Sequence, residues 1–422
     1  MKINSLTKSA LFILMGLVLM SVAVFAEEEV VLTVWDTFTG VTDSQALDDL
    51  YNKFEELNPG IIIEREPMQD QDMRKVIQVN LSSGGGPDVF EYNTGPGLAG
   101  VLAKANLIMP MDKYYDKFNW DDRIYSWTKD RVTFDGKVYG IGNEIEGLGV
   151  YYHKDLFNNL GLEEPKTFHE FLSNCDVLKS NGYIPVAYGN QGKWPAYHMF
   201  SIFANNTAGG EMLDDIIFES KSWVQPEIIN AVKLAFVDMV EKGYYIPGTN
   251  GVTYDDGNML FFAKQAAMHM TGTWLIRDII DNVQDPEVGF FFLPPIDDKP
   301  AYAPSGLGSG TFISANTEYP EEAARLVDFM YSEKALEYWI AAGAILPISF
   351  NLDNYEMDPL KRSVFEAVIE ISTSDDANMG YNIDVLTPAA FNQVMADGFQ
   401  AVIADQKTPK EQVIDMQESL EE

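Results

Sequence analysis

The sequence predicts an α/β protein of two domains whose sheets are mainly parallel. Three observations predict it. The first hundred or so residues alternate strand and helix as βαβαβ, the chain is longer than one hydrophobic core usually serves, and apolar strands late in the chain read as returns to the first domain.

The N-terminus reads as a targeting segment. Lys2 and Lys8 give a positive start, an apolar run extends from Ala10 to Phe25, and Val24-Phe25-Ala26 precedes Glu27-Glu28-Glu29. That order matches a secretory signal cleaved after Ala26. The run is shorter than the roughly 20 residues a spanning helix needs, and Gly16 and Ser21 dilute it. No cysteine lies near the cleavage point, so a periplasmic or otherwise extracellular protein without a lipid anchor is expected. Cleavage leaves 422 − 26 = 396 residues, for which two domains are the natural expectation.

Composition narrows the function. An apolar fraction of 46% and 12% aromatics indicate a packed globular protein. Without Lys2 and Lys8, 27 basic residues face 64 acidic ones, a net charge of −37. Such a field repels nucleic acid and anionic lipid and argues against a strongly anionic ligand. The single cysteine, Cys175, excludes an internal disulfide. It sits on a helical stripe with Phe168, Phe171, Leu172 and Leu178 and is expected to be buried.

The elements follow in order. A strand spans Val30 to Trp35, then a helix from Ser44 to about Leu57 carries Leu47, Leu50, Tyr51, Phe54 and Leu57 on one face. Asn58-Pro59-Gly60 stops it. Ile61-Ile62-Ile63 is a short strand, a polar helix ends at the small-residue run 82–86, and 88–92 is a third strand. A strand runs towards Tyr151-Tyr152 through Gly140, Gly142, Gly147 and Gly149. A mainly helical region then opens with the capping box Thr167-Phe168-His169-Glu170. Ala266 to Trp274 and Thr311-Phe312-Ile313 read as strands returning to the first domain, and Pro320 starts a helix reaching about Ala341.

Four stretches carry a family resemblance: SSGGGPDVFEYN at 82–93, GKVYGIGNEIEGLGVYYHKDLFNNLGLEEPKTFHEFL at 136–172, FFAKQAAMHMTGTW at 261–274, and GLGSGTFISANTEYPEEAARLVDFMYSEKALEYW at 306–339. In order and content they resemble the extracellular solute-binding proteins of carbohydrate ABC importers, the group that includes maltose-binding protein. The resemblance implies a two-lobed periplasmic-binding-protein fold with a three-segment hinge near 146–149, 270–273 and 309–312. It implies a first lobe of 27–146 plus 272–310 and a second of 147–271 plus 311–422. It also implies a carbohydrate ligand captured in the cleft, membrane permease subunits as partners, a monomer, no cofactor and no catalysis.

A neutral di- or oligosaccharide is gripped by aromatic planes and by groups that read hydroxyls. Trp274 matches the sugar-stacking aromatic of the family's Gly-x-Trp segment, and Glu146 aligns with a ligand carboxylate, with Glu144 as its neighbour on the same strand face. Trp35, Asp36, Glu91 and Asn93 lie at carboxyl ends of strands, where α/β lobes present ligand contacts. Trp194 stands in a polar loop, Gly308 and Ser309 would admit backbone close to a ligand, and Tyr381 completes the expected set.

Other motifs carry less. Gly95-Pro96-Gly97-Leu98-Ala99-Gly100 fits G-x-G-x-x-G, but it is not the first βα turn and no acidic residue ends a following strand about 20 positions on. The four histidines are scattered away from metal-ligand spacing. Tyr151 and Tyr152 point to opposite faces of a strand and make a poor ion site. Acidic residues near aromatics leave an exported glycoside hydrolase or lyase as the second reading, and the same fold with a polyol or other solute as a third.

Overall fold

The computed structural model describes residues 29–283, 287–297, 300–373 and 378–421. The expected signal peptide lies outside the described residues. Its strands are β1 (Val30–Asp36), β2 (Ile61–Pro67), β3 (Val89–Asn93), β4 (Thr133–Phe134), β5 (Lys137–Val138), β6 (Gly140–His153), β7 (Ile184–Ala187), β8 (Ala266–Gly272), β9 (Val288–Phe291), β10 (Ala303–Ile313) and β11 (Met379–Tyr381).

The βαβαβ opening forms as the sequence predicts. β1 pairs in parallel with both β2 and β3. Helix Val41–Leu57 buries Leu47, Leu50, Tyr51 and Phe54 beneath that sheet, while Leu57, expected on the same face, is exposed. The helix starts three residues earlier than the sequence suggests. Gly40 has no side chain with which to cap it, and Asp281 supplies the missing acceptor to the backbone N–H of Val41 at 3.0 Å and of Thr42 at 3.2 Å. At Thr167 the side-chain oxygen accepts from the Glu170 N–H at 3.2 Å, but the Glu170 carboxylate reaches past the cap to the Lys166 N–H, so the capping box closes one residue early.

Nine of the eleven described strands form one sheet, in the order β2-β1-β3-β10-β6-β8-β7, with β11 on β10 and β9 on β6. β6 is the seam. Its first part, to Gly147, pairs antiparallel with β10; from Leu148 onward it pairs antiparallel with β8 and β9. β7 and β8 are parallel, so one side of the seam has three parallel strands and the other a parallel pair, joined by long antiparallel crossover strands.

The apolar cores divide on the same seam. One cluster holds Leu32, Phe54, Phe90, Phe312 and Trp339; a second holds Val150, Phe171, Cys175, Phe200 and Phe399. A third, with Ile145, Tyr151, Leu275 and Val364, lies at the junction between them. This packing redraws two of the expected lobe boundaries. Most buried apolar residues of 312–348, expected in the second lobe, pack into the first core, with Ile340 and Ile345 at the junction. Phe291, Leu293 and Ile296, expected in the first, pack into the second, with Val288 at the junction. The reason is strand direction. β10 begins beside β11 and ends beside β3, so it enters the first lobe at 309–313, as a returning strand does, although the expected lobe bounds put 311 onward in the second lobe. The helix after Pro320 is two helices, Pro320–Met330 and Leu336–Ala342, both in the first core. Among the described residues, no helix is long and apolar enough to cross a membrane.

Candidate ligand-binding cleft

The crossover strands leave a cleft of about 710 Å³ between the two cores. One wall is aromatic. β8 ends at Gly272, and the next residues turn so that the Trp274 indole folds back over Gly272. A Cβ on Gly272 would lie 1.8 Å from that ring, so glycine at this position is a condition of the fold-back. The indole N–H donates to the Tyr254 hydroxyl at 3.0 Å, and Tyr254 stands 3.1 Å from Thr271 Oγ1. Trp194 precedes helix Pro195–Ala208 and places its ring 4.6 Å from Tyr254 and 6.4 Å from Trp274. His198, one helical turn on, closes the group at 4.9 Å from Trp274. Burial and the nearby Arg74 charge push the His198 imidazole down to about 3, so the ring is neutral at physiological pH.

The rest of the lining is polar and acidic. Glu146 lies over the backbone of Gly308, where a Cβ would come within 1.9 Å of the carboxylate. Burial, then the charge of Glu144, raise its pKa well above the usual carboxylate range, with Arg277 opposing. Glu144 is ion-paired to Arg277, whose guanidinium also sits 4.4 Å over the Phe38 ring. Glu91 accepts from the Thr37 N–H at 3.0 Å and its hydroxyl at 2.8 Å, yet burial still raises it to about 7. Asp384 is raised to about 6, again chiefly by burial.

Among the described residues, four oxygen atoms that line this cleft are buried without a hydrogen-bond partner: Asn93 Oδ1, Ser309 Oγ, Asn382 Oδ1 and Asp384 Oδ1. Arg74 Nε and the Nε and Nη2 of Arg277, in the same lining, also make no hydrogen bond beyond their ion pairs. Buried polar atoms are normally satisfied, and orphaning one costs about 1–3 kcal/mol. Four on one surface mark where a ligand's hydroxyls or amides, or ordered water, would complete the structure.

Of the residues singled out in the sequence, Trp274, Glu146, Glu144, Glu91, Asn93, Trp194, Gly308 and Ser309 line the cleft. Trp35, Asp36 and Tyr381 do not. Asp36 makes a two-pronged ion pair with Arg65 from β2, at 2.6 and 2.7 Å, and with Trp35 borders a void of only about 10 Å³ inside the first lobe. Tyr381 turns its hydroxyl to Asp214 and its ring edge to Phe218. The next alternate positions, Asn382 and Asp384, face the cleft instead. Sequence reasoning passed over Arg74, His198, Tyr254, Arg277, Asn382 and Asp384. The spacing of Trp194 and His198, four apart on one helix face, was a usable signal. Arg277 and Arg74 had none, since their partners Glu144 and Asp70 are identified only by the fold or by an unremarkable surface spacing.

The glycines of 95–100 serve contact. A Cβ on Gly95 would lie 2.1 Å from Val385 O, and one on Gly97 2.9 Å from Ala389 N. They let the first-lobe loop press against the 385–389 backbone at the rim of the cleft.

Two cores joined by crossover strands, with a polar and aromatic cleft at the seam, define a two-lobed ligand-capture protein. The family of bacterial extracellular solute-binding proteins matches residues 39–337, and the chain belongs to it. An uncharacterised ABC transporter extracellular-binding protein of Pyrococcus horikoshii is 25% identical over 357 residues, 82% of this chain and 77% of the relative. The multiple sugar-binding protein of Streptococcus mutans is 23% identical over 341 residues, 76% of each chain. Among solved structures, a chitin oligosaccharide binding protein superposes with a TM-score of 0.80 at 24% identity, over 93% of this chain and 98% of its own. That likeness places the fold as the two-lobed one the sequence predicts.

Proposed function

We propose that the protein captures a di- or oligosaccharide in this cleft, outside the cytoplasm, and delivers it to the permease of an ABC importer. The observation that carries the reading is the pairing of an aromatic wall (Trp274, Trp194, Tyr254) with buried polar atoms that lack partners in the same cleft. Sugar rings offer apolar C–H faces to the first and hydroxyls to the second. A cleft of about 710 Å³ is in the range of a small-molecule site and leaves room for more than one ring. The names of relatives support it, since one is a multiple sugar-binding protein and another a diacetylchitobiose binding protein. An exported protein acting as a monomer, with its signal removed after Ala26, completes the proposal.

Hydrolysis is not part of it. The family is one of solute-binding proteins, and Glu144 is tied to Arg277 instead of standing free opposite Glu146.

The test is calorimetric titration of the mature protein with sugars of one to five rings, alongside amino acids and nucleotides. The expected result is saturable binding of a sugar and none of the others. Trp274→Ala should weaken that binding by about 2 kcal/mol, roughly 30-fold, as loss of a central aromatic anchor does. Tight binding of an amino acid or nucleotide with no response to any sugar would overturn the assignment.

A further inference from the structure

The charges around the cleft are lopsided. Among the described residues, nine carboxylates line it against two guanidiniums, and no lysine is among the lining residues. Both guanidiniums are already engaged: Arg74 with Asp70 at 2.8 Å, and Arg277 with Glu144. Asp72 is held by the exposed Lys75 at 2.9 Å. Six remain without a lysine or arginine ion pair: Asp43, Glu91, Glu146, Asp255, Asp278 and Asp384. Asp384 is only 7% exposed, and its Oδ1 faces the cleft with no hydrogen-bond partner. The nearest histidine, His198, is 4.0 Å away and neutral.

Closing a cleft around a ligand removes the water that now solvates these groups, and an uncompensated carboxylate then either takes a proton or needs a cation. A hydroxyl gives one donor and no charge; an ammonium gives three donors and a full positive charge. We propose, resting on the carbohydrate reading above, that the ligand is an amino sugar with a free ammonium group, held at Asp384 and Glu146, and that acidic sugars are excluded.

The groups facing this position come from five elements. Arg74 and Asp70 stand on helix Asp70–Ser82, His198 and Tyr197 on helix Pro195–Ala208, Glu144 on β6, and Glu91 on β3. Two cations oppose an ammonium there: Arg74, partly neutralised by Asp70, and Arg277 on helix Leu275–Asn282, which is ion-paired to Glu144. Burial holds Asp384 and Glu146 towards the protonated form in the empty cleft, so an ammonium that favours their ionised forms must release protons on binding. Affinity then rises with pH through about 6 and falls again as the amine loses its own proton near 8.

The experiment compares three sugars of equal length on the full mature protein by calorimetry: glucosamine oligomers, their N-acetylated forms, and uronic acid oligomers. The proposal expects the free amine to bind at least about tenfold tighter than the acetylated form, with an affinity maximum near pH 7 and proton release measured across buffers of different ionisation enthalpy. Uronates should not bind. Asp384→Asn should abolish the preference, bringing the amine's affinity down to that of the acetylated form, and Asp384→Glu should keep it. If the acetylated or a neutral sugar binds as tightly as the amine, or a uronate binds, the ammonium proposal fails and the carbohydrate reading stands. If no sugar of any charge binds, both fail together.

Discussion

Gly272 and Trp274 act as one unit, because the indole occupies the space a side chain on Gly272 would fill. Gly272→Ala should therefore swing the ring out of the cleft, break its 3.0 Å hydrogen bond to Tyr254, and weaken ligand binding by roughly tenfold, an effect of about 1.4 kcal/mol. Tryptophan fluorescence and titration of the variant would detect both changes, and an unaltered affinity with an unshifted emission would refute the coupling. This unit was legible in the sequence because the Gly-x-Trp pattern is local. Glu146 with Gly308 was half legible, since each was singled out but nothing in the sequence joins them across β6 and β10. Asp36 was misread because its position at a strand end looks the same whether the carboxylate meets a ligand or, as here, Arg65 on the next strand. Tyr381 was missed by one residue of parity, and a short strand of three residues gives no alternation long enough to fix which side faces the cleft.

Between elements, the joint where β6 passes from one lobe to the other is clasped by Thr273. Its N–H donates to Gly147 O at 2.9 Å, its hydroxyl accepts from the Gly147 N–H at 3.2 Å, and its carbonyl accepts from the Tyr151 hydroxyl at 2.9 Å. Thr273→Val keeps the shape but leaves the Gly147 N–H without its partner in a buried site, a loss of about 1–3 kcal/mol. Thermal unfolding should show a melting temperature lower by several degrees for the valine variant and near the parent value for Thr273→Ser. Equal melting of all three proteins would mean the clasp contributes nothing. At this scale the strands and helices of the first lobe were legible, because periods of two and 3.6 are written locally. Residues 312–348 were misplaced for a different reason. Whether β10 enters or leaves a lobe is decided by its neighbours β3 and β11, which lie more than 200 residues before it and about 70 after it.

Across the whole molecule, the formal charge of −35 and the buried carboxylates of the cleft act on stability in the same direction. Glu91 is raised to about 7, and Asp278 and Asp384 to about 6, by burial, against about 4 for carboxylates in an unfolded chain. Over that interval the folded protein binds more protons than the unfolded one. Its stability is therefore greatest near the lower end, falls as pH rises from about 4 to about 7, and levels off above. Below that window the opposite group takes over. Glu321, lowered to about 2 by Lys117 and Lys113, and Asp155 and Asp397, lowered by their lysine partners, give up their stabilisation when they protonate. The ligand-free protein should consequently melt highest near pH 5 and several degrees lower at pH 8. The surface part of the difference should shrink in 1 M salt, where the screening length falls to about 3 Å, while the cleft part persists. Glu91→Gln removes one of the buried titrations and should narrow the gap between pH 5 and pH 8 at high salt. A melting temperature that does not change between these pH values, or a gap that salt erases completely, would place the buried carboxylates in contact with bulk water and remove the electrostatic demand that the empty cleft makes on its ligand.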